Sequence, residues 1–233
     1  MSASRAYSRA DDADLADLLF TGAAQLDLPL PTSDARRMID YLRLVERWNG
    51  TYNLTAIRDP RDMVIHHLLD CVAAAAALIR RRGVGDGERV VDVGSGPGLP
   101  GIVIALASPG RKVTCVDSVG KKAAFITQAA GSLGLRNVKA VHARIEAVAE
   151  RFDVVASRAF ASLADFVAAT HHVVDRSGTW LAMKGKVPAG ELAQLQPDLT
   201  VDIEPLMVPH LGAERCVVWI GQHVEASARL CRT

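Results

Sequence analysis

The 233-residue chain is 49% hydrophobic and 23% charged, enough apolar material for one α/β core plus an extension. Its formal charge of +1 excludes the broad basic coat of a protein that holds nucleic acid by phosphate attraction alone. Polar Met1–Arg9 and acidic Asp11–Asp17 predict no secretory leader, no run predicts a membrane span, and four cysteines without paired spacing predict free thiols in a reducing cytosol.

Residues 1–82 are expected to form a helical extension packed on the core. Asp14–Leu19 and Ala35–Trp48 space their apolar residues as helices do, Pro29-Leu30-Pro31 separates them, and Thr32 or Ser33 can cap the second. Tyr52-Asn53-Leu54-Thr55 follows as a turn, in which Asn53 either touches a substrate or serves the turn alone. His67 and Asp70 share a helical face, where a hydrogen-bonded pair would position the extension. Ala73–Ala77 favours helix, and Arg80-Arg81-Arg82 suits a solvated face.

The core, residues 83–222, opens on Val90–Gly101. A short apolar strand ends in Asp92 and a glycine turn, Gly94-Ser95-Gly96-Pro97-Gly98-Leu99, and Pro100 then opens an apolar helix. A dinucleotide site needs Gly-x-Gly-x-x-Gly to cradle a pyrophosphate. Here Leu99 stands at the third glycine position and Pro97 lacks an amide donor, so the turn suits a nucleoside ligand without phosphates, such as S-adenosylmethionine. Lys112–Asp117 is a second strand whose acid is placed for ribose hydroxyls; Asp117 and Ser118 are equally good caps for the next helix. That helix runs from Gly120 towards Leu133, with Gly134 as its stop.

Val138–Val141 and Asp153–Ala156 continue the βα alternation, with Ile145 and Glu146 after the third strand, where side chains flank a bound purine. Gly178–Lys184 makes a fifth strand, and Leu199–Leu206 with Arg215–Ile220, lacking a helix between them, make an antiparallel edge hairpin. Residues 223–233 are expected to be a loosely ordered tail. No Cys or His spacing suggests a metal site.

Asp92–Gly101, Asp117–Lys122, Ser157-Arg158-Ala159-Phe160-Ala161-Ser162-Leu163 and Lys184-Gly185 resemble the bacterial glucose-inhibited division protein B family of methyltransferases. The resemblance extends to Trp48–Thr55 and to His67–Asp70; Cys71 departs from it where Ser is expected. It implies a Rossmann-like class I fold with a seven-stranded, mostly parallel sheet, and methylation by S-adenosylmethionine of N7 of one guanine in 16S RNA, near the decoding region of the small ribosomal subunit. It also implies that Gly94, Leu99, Ile145 and Glu146 border the cofactor and that Arg158 lies between cofactor and base. Independently, Arg158 follows a strand's carboxyl end, where open α/β sheets keep ligands, and its fork suits a carboxylate; a surface ion pair is the plainer alternative.

Elimination agrees. An Asn/Asp-Pro-Pro-aromatic motif for exocyclic amines is absent, and none of the cysteines follows proline as a pyrimidine C5 nucleophile commonly does. N7 needs no base, so alignment supplies most of the rate. Because a donor on N7 would block transfer, Arg158 or Lys184 should favour O6 or phosphate. Phe160 either stacks on the base or packs inside. Arg36, Arg37, Arg43, Arg47, Arg58, Arg61, Lys121, Lys122, Lys184 and Lys186 form modest basic clusters, suited to an assembled ribonucleoprotein more than naked RNA. An NAD-dependent oxidoreductase would want the missing glycine, and a noncatalytic RNA-binding module would not need the Asp92 turn paired with Asp117.

Overall fold

Seven runs rich in β-branched residues form the central sheet of the computed structural model, which describes residues 9–158, 160 and 162–222. They are β1 (Arg89–Val93), β2 (Lys112–Asp117), β3 (Val138–His142), β4 (Phe152–Ser157), β5 (Val174–Lys184), β6 (Leu199–Leu206) and β7 (Arg215–Gln222), in the order β3-β2-β1-β4-β5-β7-β6. The first five are parallel, whereas β7 runs antiparallel between β5 and β6. The expected edge hairpin is present, and β5 begins before Gly178, reaching back to Val174. The tail from residue 223, with Cys231, lies outside the described residues.

Alternation within each strand divides the core. Val90, Val154, Leu181 and Val217 face a cluster shared with the N-terminal helices, while Val91, Val155, Trp180 and Val218 face the other side with Phe166. On the first side lie α1 (Arg9–Gln25), α2 (Thr32–Tyr52), and a continuous helix made of α3 (Pro60–Met63), a π-helical turn (Val64–Leu69) and α4 (Asp70–Arg82). By length and composition alone this Pro60–Arg82 helix could cross a membrane, but 83% of its apolar window is buried inside the fold, as in a core helix. Its Ala73–Ala77 run fits the close approach of neighbouring elements.

Three local expectations are corrected. Pro31, and neither Thr32 nor Ser33, precedes the first turn of α2: its carbonyl accepts from Asp34 N and Ala35 N at 2.9 and 3.1 Å, so backbone serves as the cap. Arg80, Arg81 and Arg82 are not a free solvated face, since Arg80 pairs with Glu204, Arg81 with Asp202, and Arg82 with Glu88. His67 bonds Thr55 Oγ1 at 2.7 Å, while Asp70 is held by arginines.

Tyr41 on α2 is fully buried and donates its hydroxyl to Pro97 O at 2.7 Å, tying the N-terminal helices to the glycine turn. Trp48 packs on Phe125 of α6 (Gly120–Ser132) at 5.4 Å, after α5 (Gly101–Ala107). Tyr41→Phe will leave that carbonyl unpaired and lower the urea-unfolding free energy by about 1–2 kcal/mol; an unchanged midpoint would remove this tie from the stability of the fold.

Candidate active site at the carboxyl edge of the sheet

The carboxyl ends of β1 and β2 build a turn with little freedom. Asp92, fully buried, accepts from Gly101 N at 2.9 Å through Oδ2, while its Oδ1 is buried without a partner. Burial raises its carboxyl to about 7, against the pull of the Gly101 amide and Arg158. A Cβ at Gly101 would stand 2.5 Å from Cys115 Sγ and 3.0 Å from Asp92 Oδ2, so glycine is what lets the helix start reach the acid.

Gly94 and Gly96 adopt left-handed φ of 67° and 58°, and a Cβ at either would meet nothing within 4 Å. The turn's open side is therefore free for a ligand, whereas its inner side is closed by hydrogen bonds. Ser95 N and Gly94 N donate to Val116 O, Ser95 Oγ donates to Asp92 O, and Gly98 N and Leu99 N donate to Ser95 O.

Asp117 is 4% exposed and binds the turn itself: Oδ2 accepts from Gly96 N at 2.8 Å and Oδ1 from Val119 N at 2.9 Å. Neither Asp117 nor Ser118 caps α6 as expected, since Val119 precedes its first turn and no side chain bonds there; Asp117 instead braces the glycine turn. Ser118 is exposed, its carbonyl 3.2 Å from His142 Nε2. Ile145 is 6% exposed and packs in the core, next to exposed Glu146 on a 3₁₀ turn; Leu99 is 2% exposed. Only a small edge of Leu99 and Ile145 is left for a ligand.

Beyond β4, Arg158 reaches back to the N-terminal helices. Its Nη1 donates to His66 O at 3.3 Å and lies 3.8 Å from Cys71 Sγ and 3.9 Å from Asp70 Oδ2. The π-helical turn directs His66 O here, an arrangement that such irregular turns often serve. Asp70 Oδ1 also accepts from Arg215 Nε at 3.0 Å, so one carboxylate braces two guanidiniums. Burial raises the Asp70 carboxyl above its ordinary value, partly offset by both arginines. Burial likewise lowers His67 to about 4, so it is neutral near pH 7.

Arg158, Lys184, His66, Asp70 and Arg215 line one cleft of about 360 Å³. Within it Lys184 Nζ donates to Glu191 Oε2 at 2.8 Å, and the same oxygen accepts from Leu163 N, coupling α7 (Leu163–Thr170) to α8 (Ala189–Leu192). The other expected contacts lie apart from the cleft. Phe160 packs on Phe166 at 5.3 Å, Asn53 closes α2 in a left-handed conformation with φ 47°, and Lys121 sits 5.9 Å over the Tyr52 ring. Exposed Lys186 borders a neighbouring groove.

Sequence reasoning missed Tyr41, Arg215 and Glu191. Tyr41 and Arg215 act through partners far along the chain, whereas Glu191 is turned back by α8 onto Lys184 seven residues earlier; only the repeated placement of charge near strand ends could have hinted at Arg215.

Comparison with known proteins places this geometry. The family profile described as GidB, rRNA small subunit methyltransferase G, matches residues 34–218. The protein named ribosomal RNA small subunit methyltransferase G from Acidovorax ebreus is 52% identical over 207 residues, covering 85% of this chain and 92% of its own. Its namesake from Paracidovorax citrulli is 50% identical over 221 residues, covering 90% and 91%. Among solved structures, the Burkholderia thailandensis 1,6-didemethyltoxoflavin-N1-methyltransferase, described with bound S-adenosylhomocysteine, superposes with a TM-score of 0.53 at 19% identity over 78% of this chain and 89% of its own. That likeness shows the fold, a Rossmann-like class I methyltransferase sheet. With the family profile spanning most of the chain and relatives at half identity along nearly their whole length, this chain belongs to the rRNA small subunit methyltransferase G family.

Proposed function

We propose that the chain transfers the methyl group of S-adenosylmethionine to N7 of one guanine in 16S RNA near the decoding region, acting on the small ribosomal subunit in the cytosol. The observation that carries this reading is Asp92: a fully buried acid with one unpartnered oxygen beneath a glycine turn whose open side a side chain would fill. Family membership supplies the RNA.

Asp92 suits the ammonium end of the cofactor and Arg158 its carboxylate, the two charges being close enough to perturb one another. Gly94, Ser95, Gly96 and Gly98 offer backbone, with Asp117 fixing the shape of their turn. Ser118, Ile145 and Glu146 follow β2 and β3, where a nucleoside base would lie. When bound, S-adenosylmethionine supplies an electrophilic sulfonium methyl.

Guanine N7 presents an in-plane lone pair, so direct displacement requires no proton acceptor from the chain. Its residues need only hold the two reactants in line and keep water out, which is where most of the acceleration then arises. Arg158 Nη1 is held by His66 O beside Asp70, which leaves the rest of its fork for the cofactor's carboxylate, and Lys184 is drawn to Glu191. Contacts to O6 or phosphate leave the nucleophile exposed. Asn53, Lys121, Phe160 and Lys186 are proposed to meet RNA outside the cleft; Phe160 does so only by leaving Phe166.

Tritiated methyl transfer to small subunits, followed by borohydride and aniline cleavage, tests the assignment. The expected result is label on the RNA and a strand break at one guanine; label without a break would overturn N7 as the acceptor.

A further inference from the structure

The β6–β7 turn emerges at the ligand edge of the sheet. β6 runs the same way as β5 because both are antiparallel to β7, and the register sets Lys184 opposite Cys216 and Leu206 opposite Arg215. The connection 207–214 therefore stands beside Lys184, at the edge where open α/β sheets bind ligands.

That connection walls a groove of about 720 Å³ together with Lys186 and Val187. It shares Gly185 and Arg215 with the Arg158 cleft. Arg215 marks the saddle, since a Cβ at Gly185 would lie 3.9 Å from its Nη1. The apolar surface here is unusual: Met207 is 86% exposed and Val187 49%. A flexible thioether held in water gains by covering a flat partner, and Lys186 and Arg215 put positive charge at the rim beside one acid, Glu214, with Arg215 spending Nε on Asp70 and Nη1 on the Glu214 carbonyl and keeping Nη2 for a phosphate.

We propose that this groove receives the nucleotide adjoining the target guanine, its base against Met207 and Val187 and its phosphate between Lys186 and Arg215. The inference rests on the RNA reading above. Holding the neighbour in this way unstacks the target base and leaves it alone in the Arg158 cleft, as enzymes that modify bases require. Met207 is thus a specificity residue for the RNA and has no contact with the cofactor turn.

The experiment compares the wild-type chain with Met207→Ala and Met207→Ala/Val187→Ala on small subunits reconstituted with intact 16S RNA, or with an abasic nucleotide on either side of the modified guanine. Both side chains are exposed, so the variants keep the core, and adenosylhomocysteine binding by calorimetry should match wild type. The expected result is a fall in kcat/KM of up to about tenfold for Met207→Ala on intact RNA, the upper end of what a thioether contact with a flat ring contributes. The same fall is expected for wild type on one abasic RNA, with no further loss when the two changes are combined. Wild-type rates for both variants on intact RNA would overturn the proposal. So would a variant defect on subunits that the abasic change does not reproduce, which would assign the groove to a protein partner. If wild type yields no guanine-specific cleavage on intact subunits, the RNA reading itself has failed and this inference falls with it.

Discussion

Replacing Arg158 with lysine will lower single-turnover methyl transfer to small subunits by about 100-fold, the scale expected when reacting groups are displaced by about 1 Å. Charge is conserved in this change, but the fork is lost. Arg158 spans from the β4 end to His66 O at 3.3 Å and Asp70 at 3.9 Å, and the three donors of lysine sit on a single nitrogen that cannot reach these and a ligand together. Asp70 keeps Arg215 at 3.0 Å, so no buried carboxylate is stranded and the protein should fold normally, losing about 1 kcal/mol at most. Arg158→Ala will have the larger effect on transfer and also weaken adenosylhomocysteine binding in calorimetry. Unchanged turnover with normal cofactor affinity in Arg158→Lys would remove this side chain from the mechanism.

What the sequence made legible at this site is local. The glycine turn was readable because its positive φ values and the contact of Gly101 with Asp92 demand particular residues at particular places. Arg158 could be placed because a strand's end is a fixed landmark in a parallel sheet. Strand alternation and the Gly134 stop, with φ 65°, fixed the elements around them.

The rest depends on pairs remote along the chain, which spacing does not encode. Asp70 meets Arg215 across 145 positions, Tyr41 meets Pro97 across 56, and Arg80 meets Glu204 across 124. His67 and Asp70 do share a helix, yet the π-helical turn and the nearby arginines gave each a different partner. Charge alone likewise suggested that Lys184 was free for RNA, because nothing in Lys184-Gly185-Lys186 announces that α8 turns Glu191 back onto it.

Asp92→Asn separates binding from stability most sharply. Burial holds the Asp92 carboxyl at about 7 against an ordinary 3.8. A carboxyl raised on folding binds its proton more tightly in the native state, so its stabilisation is complete below the ordinary value and is lost as pH rises through about 7. Asparagine never ionises. It can still accept from Gly101 N; avoiding ionisation across about three pH units gains about 4 kcal/mol at pH 8 and its unpartnered amide costs back about 1–2, so the variant should be about 2–3 kcal/mol more stable there. It should nevertheless bind S-adenosylmethionine about 30-fold more weakly, because a charge-assisted hydrogen bond becomes a neutral one. In the wild-type chain, affinity should climb about tenfold per pH unit up to about 7 and then level, while the variant's stays flat over the same range. Calorimetry from pH 6 to 8 with thermal melts in the same buffers reads both effects. Equal affinities at pH 8 would place Asp92 outside the binding site and leave its open oxygen a purely structural cost.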